Sequence, residues 1–255
     1  CIITTSAYLG ITKGIKRLSN INIGLLGFLL LFVFIVGPTS YILSNSLEVL
    51  VTYTQKFIAM STYVGNQFVQ DWTVFYWAWW LALAPYLGVF FVNISNGKTI
   101  RQLILGTIFI GGFGSVLHFL ILGNYSLHLF ESNILDVPAL YATEKPTRVI
   151  VDVISTLPLN YLMLFIYGAI SVIFLCTTYD SCAYILSKTA MRRSDMQPSK
   201  ILRIVFSILL VIQPAILMFL GGVNTVKWML VITAIPLLFI NVLLIIYIFK
   251  NVQKI

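Results

Sequence analysis

The chain has 255 residues, of which 59% are hydrophobic and only 9% charged, with a formal net charge of +8. Soluble domains are about one-quarter charged, and a mean hydropathy of +0.97 is more apolar surface than one globule of this size can hide, so lipid must be the solvent for much of it. The positive charge is scattered through short loops, which argues against a nucleic-acid partner.

Six stretches are apolar for long enough to cross about 30 Å of hydrocarbon, which takes roughly 20 residues. The first, 22–43, follows the basic segment KGIKR (13–17). Residues 44–70 are too polar to span but place Leu47, Val51, Tyr53, Phe57, Ile58 and Met60 at loose helical spacing. This pattern predicts an amphipathic helix lying along the outer surface. Spans at 72–94 and 102–123 are joined by the basic GKTIR (97–101). The mixed loop 124–157, with Pro138 and Pro146, is predicted to be partly ordered on the outer face. Spans at 158–187, 201–221 and 228–249 complete the set, with SKTAMRRSDMQPSKILR (187–203) between the first two. The fold class is all-α integral membrane, with the whole chain, 1–255, in one membrane domain.

Alternating sides at each span puts twelve of the sixteen Lys and Arg residues on one side and four (Lys56, Lys145, Arg148, Lys227) on the other. The positive-inside rule makes the first side cytoplasmic, so a multi-pass protein of the plasma (cell inner) membrane with a cytoplasmic C-terminus is expected. The chain starts at Cys1, with no signal-peptide pattern, and reads as a piece of a longer protein. Cys1, Cys176 and Cys182 show no paired spacing.

The segment DWTVFYWAWWLALAPYLG (71–88) holds four of the five tryptophans. At helical spacing Trp72, Tyr76, Trp79, Trp80 and Leu83 share one stripe. An interfacial aromatic belt accounts for Trp72, but Trp79 and Trp80 lie about 10–12 Å deeper at 1.5 Å per residue. Two readings therefore stand, plain packing or a cation site. A trimethylammonium head has no N–H donor, and its charge is spread over methyl surface. Aromatic faces suit both properties, with up to about 2 kcal/mol per desolvated cation–π contact.

In FLCTTYDSCAYILSK (174–188), Asp180 is the one acid within a span. Intramembrane acids default to functional hypotheses, and Thr177, Thr178 and Ser181 add hydroxyl oxygens that a small alkali cation prefers. Hydroxyls bonded to their own helix and an Asp180 pair with Lys188 or Arg192 are the competing readings. His118 and His128 lie apart, and no nucleophile elbow, phosphate loop or zinc-protease motif appears, so no enzyme is indicated.

The block FYWAWW (75–80) followed by NISNGKTIRQLILG (93–106) closely resembles the betaine/carnitine/choline transporter (BCCT) family, whose members have a Trp-rich helix followed by a basic loop of the form ISRGRTIRE. KGIKRLSNINIGLLGFLLLFVFIVGPT (13–39) and CTTYDSCAY (176–184) resemble the same family, and the similarity covers essentially the whole chain. The resemblance implies a twelve-helix fold with inverted repeats, of which this chain is the last six helices. It implies that Trp79 and Trp80 line the substrate path, with Trp80 the better candidate for the trimethylammonium box, Tyr76 beside them and Phe75 at an outer gate. It also implies a sodium site at Phe174, Thr177 and Thr178, and a homotrimer with 44–70 near its contacts. The chain departs from the pattern at Leu83, where the family has an aromatic, at Thr178 for a serine, and at Asn96 and Lys98 for arginines. The implied function is sodium-coupled, alternating-access transport of glycine betaine, choline or carnitine. Sodium-independent precursor/product antiport, or a truncated and inactive fragment, is the alternative.

Overall fold

The computed structural model describes residues 16–67, 69–95, 97–144, 146–191 and 198–251. Among these residues every regular element is helical, as lipid demands of a chain whose backbone groups must be satisfied internally. Five helices are long and apolar enough to span: Lys16–Val36, Trp72–Val92, Ile100–Glu131, Asn160–Thr189 and Thr225–Asn251. The described residues form two compact units, 16–60 with 98–177 and 61–97 with 178–251.

In the first unit, α1 (Lys16–Val36) stops well short of residue 43. Gly37 donates its N–H to Val33 O at 2.9 Å, and a Cβ on Gly37 would lie 2.5 Å from that same oxygen. Pro38, lacking an N–H, then prevents another regular turn. Thr39 Oγ1 donates to Phe34 O at 2.6 Å, and α2 (Thr39–Thr62) begins. It takes up most of the segment 44–70 but starts earlier and ends sooner. Ile42 is its one buried residue.

The basic loop ends in a capping box, with Thr99 Oγ1 accepting from Gln102 N at 3.2 Å and Gln102 Oε1 accepting from Thr99 N at 3.1 Å. This starts α4 (Ile100–Glu131), a helix of 32 residues widened by π-helical turns at Gly106–Gly111 and Phe119–Gly123. It runs past residue 123 into what the sequence reads as loop. The rest of that loop is also largely helical: α5 (Val137–Thr143), capped by the Asp136 carboxylate accepting from Ala139 N, and α6 (Pro146–Ser155). Then comes α7 (Asn160–Thr189). Leu29, Val33, Ile42, Tyr125, Ile154 and Met163 from five of these helices meet in the core. Beside them Asn45 donates to Asn124 Oδ1 at 2.8 Å, and Asn124 Nδ2 donates to Ser46 Oγ at 2.9 Å.

In the second unit, a π-helical turn Val69–Val74 leads into α3 (Phe75–Ile94), which packs along α8 (Lys200–Asn251). Lys227 meets Trp72, and farther along Asn241 Nδ2 donates to Leu81 O at 2.9 Å. Partner numbers rise together, so these stretches run parallel. The segments 201–221 and 228–249, read from sequence as two spans, lie in this one helix of 52 residues, about 78 Å long at 1.5 Å per residue. Residues 222–227 contain no proline; Pro214 and Pro236 sit within the two halves instead.

Candidate substrate site

The π-helical turn before α3 and the helical spacing after it bring Trp72, Phe75, Tyr76 and Trp79 into one continuous row of rings. Trp72 stacks on Tyr76 with centroids 6.1 Å apart, and Tyr76 stacks on Trp79 at 6.1 Å and 8° between planes. Phe75 packs beside the stack, 5.5 Å from both Tyr76 and Trp79. Phe75 is buried, whereas Tyr76 and Trp79 are 48% and 40% exposed. The row already carries a cation. Lys227 Nζ sits 4.3 Å from the Trp72 ring centre and 5.2 Å from that of Phe75, inside the roughly 6 Å range of cation–π attraction. Trp80 is 61% exposed and outside this row, and among the described residues it makes no ring contact. Trp77 and Ala78 turn toward a cavity of about 400 Å³ that Ala234, Ile235, Leu238 and Phe239 of α8 complete. That cavity is apolar and does not include Trp79 or Trp80 in its lining.

The proposed sodium residues lie within two turns of α7. Thr177 Oγ1 donates to Phe174 O at 2.9 Å, so its proton is committed to its own helix. Thr178 and Phe174 are exposed, and Asp180 is fully buried two residues beyond Thr178. Asp180 exerts a Coulomb attraction on Arg203 of α8, a basic group the sequence reading did not name; Arg192 lies outside the described residues. Arg203 is itself 7% exposed, and its guanidinium lies 5.9 Å from the Tyr184 ring centre.

The whole chain, residues 1–255, matches the family model described as "BCCT, betaine/carnitine/choline family transporter". The chain belongs to the betaine/carnitine/choline transporter family. It is 31% identical over 243 residues to a carnitine transporter of Acinetobacter baumannii, covering 92% of this chain and 44% of that protein. It is 28% identical over 255 residues to the glycine betaine transporter OpuD of Bacillus subtilis, covering 98% of this chain and 49% of OpuD. A third relative, the betaine/ectoine transporter LcoP of Corynebacterium glutamicum, is 34% identical over 223 residues, covering 85% of this chain and 35% of LcoP. The chain thus spans about half the length, or less, of these relatives. The family is one of membrane transporters and not of enzymes, in line with the apolar helices.

For this betaine/carnitine/choline family member, sequence reasoning picked out the Trp-rich helix and Asp180 and missed a cation beside each. Lys227 follows Trp72 by 155 residues, and Arg203 follows Asp180 by 23, across the segment 192–197 that is not described. Helical spacing identifies neighbours three or four residues apart. It carries no signal for either pair.

Proposed function

We infer that the protein is a secondary transporter of quaternary-ammonium solutes such as glycine betaine, choline or carnitine, working by alternating access. The observation that carries this is the Trp72–Phe75–Tyr76–Trp79 row in an apolar helix, with an ammonium resting on two of its rings. A surface that holds a lysine ammonium by its π faces suits a trimethylammonium group better still. That head offers no N–H to carboxylates and loses less hydration on leaving water, and each desolvated ring contact contributes up to about 2 kcal/mol. Tyr76 and Trp79 supply open faces, and Trp80, one residue on, supplies a further exposed indole. Names of family relatives, a carnitine transporter and two betaine transporters, support the same substrate class.

Sodium is read as co-transported cargo, taken by the Thr177 and Thr178 oxygens with Phe174 alongside. Support comes from the Thr177 hydroxyl, whose hydrogen bond to Phe174 O fixes the direction of its lone pairs. A cytoplasmic C-terminus in the cell membrane follows from the charge count. The parallel run of α3 and the second half of α8 agrees with the alternation that this count assumes, since spans two and six of an alternating chain point the same way. A helix of about 78 Å exceeds twice the hydrocarbon thickness, so in a bilayer the reading places a turn between residues 221 and 228. A homotrimer is proposed through α2, whose apolar side chains beyond Ile42, such as Leu47, Phe57 and Ile58, are exposed.

The test is uptake of labelled betaine, choline and carnitine by cells lacking their own uptake systems, expressing the protein from its whole native reading frame. Transport that Trp79→Ala and Trp80→Ala each reduce severalfold or more is the outcome the reading requires. Normal uptake of all three by both variants would refute it, and uptake unchanged when potassium replaces sodium would remove the sodium step alone.

A further inference from the structure

Among the described residues, the ammonium of Lys227 is the positive charge that sits directly on the aromatic row. The parallel seam of α3 and α8 sets its height against Trp72, and the Asn241 bond to Leu81 O fixes the register from the far side. Nζ is 5.2 Å from Phe75, and Phe75 is 5.5 Å from Trp79. The charge is therefore within about 11 Å of the Trp79 ring even if the two separations lie end to end, close enough for Coulomb interaction in a partly buried site.

We propose that Lys227 is a specificity-determining residue that makes the aromatic row favour zwitterionic trimethylammonium solutes over purely cationic ones. This rests on the transport reading above and adds to it a choice among its substrates. A second permanent cation on neighbouring rings is repelled by the lysine ammonium. A solute that also carries a carboxylate recovers that cost, because its anionic end can turn toward Lys227 while its methylated head rests on the exposed side of the Tyr76 and Trp79 rings. Glycine betaine and carnitine have that carboxylate; choline has a hydroxyl in its place. At about 10 Å and an effective dielectric of about 20, like-charge repulsion lowers affinity on the order of tenfold. Lys227 thus acts on the substrate through charge and not through proton transfer.

The experiment uses the protein expressed from its whole native reading frame and reads half-saturation constants for betaine and choline. Lys227→Gln is expected to shift the choline-to-betaine preference about tenfold toward choline, and Lys227→Arg to keep the wild-type preference. Lys227→Cys, folded first and then treated with an aminoethyl thiosulfonate, regains the wild-type preference, while the neutral methyl reagent leaves it shifted. Treated wild-type protein is the control for Cys176 and Cys182. This second arm decides the matter even if Lys227→Gln fails to accumulate. A preference within twofold of wild type in the uncharged variants overturns the assignment to Lys227 and leaves the transport reading standing. A wild-type protein that carries neither solute overturns both.

Discussion

Phe75 is the buried ring that backs the stacked Tyr76 and Trp79, so Phe75→Leu tests the row's geometry without emptying its core. The leucine keeps apolar volume beneath the rings but removes two aromatic pairs, to Tyr76 and Trp79, each with centroids 5.5 Å apart. Such a pair contributes about 1 kcal/mol beyond area burial, so the two together orient Tyr76 and Trp79 by about 2 kcal/mol. If that orientation is spent on binding, the half-saturation constant for a trimethylammonium solute rises up to about 30-fold. The assay is initial-rate uptake of labelled betaine over a concentration series, normalised to the amount of protein in the membrane. Phe75→Tyr, which keeps the ring, serves as the paired control and should stay within about threefold of wild type. An unchanged half-saturation constant in Phe75→Leu, at normal membrane abundance, would show that the rings are packing and not a binding surface.

Asp180→Ala removes a buried carboxylate that attracts the buried guanidinium of Arg203 and should lower the melting midpoint in detergent. Adding Arg203→Leu should recover part of that loss; a single variant that melts like wild type would contradict the electrostatic link. Gly37→Ala places a Cβ 2.5 Å from Val33 O and should cost about 1–3 kcal/mol through overpacking, measured by the same melt. A wild-type midpoint there would show that the α1–α2 corner is held by Pro38 alone. Arg148→Ala, by contrast, breaks a 3.1 Å ion pair to Asp152 whose arginine is 63% exposed, and should move the midpoint by less than the equivalent of about 0.5 kcal/mol.

The apolar spans were legible because hydrocarbon thickness sets a length that composition alone reveals, and the helices of α1, α3 and α7 fall where the charge-free stretches do. The errors are at boundaries set by local backbone chemistry. The apolar stretch 22–43 runs on through Tyr41, Ile42 and Leu43, yet Gly37 and Pro38 end the helix before them. The stretch 124–157 looked like loop because it mixes charge with proline. Its capping signal was present all the same, with Asp136 two residues before Pro138 in the order that starts α5. The Trp-rich helix was found from residue spacing, but the row that forms runs through Phe75 and leaves Trp80 outside. The difference arises because ring contact depends on side-chain rotamers that a helical projection does not contain. Lys227 and Arg203 were invisible for another reason: each is brought to its partner by packing of α8, and no local pattern in a sequence records which helix lies beside which.

The central claim is that π faces hold a methylated cation for its charge as well as its shape, and one substrate pair isolates the charge. Glycine betaine and 3,3-dimethylbutanoate share a carboxylate and a head of three methyl groups, and differ in having nitrogen or carbon at the centre of that head. Binding of both to the purified protein, read by quenching of tryptophan fluorescence, should favour betaine by about 30-fold, the equivalent of about 2 kcal/mol of cation–π attraction. Equal affinity for the two would mean that the aromatic row recognises only an apolar volume, and the cation site would be lost with it.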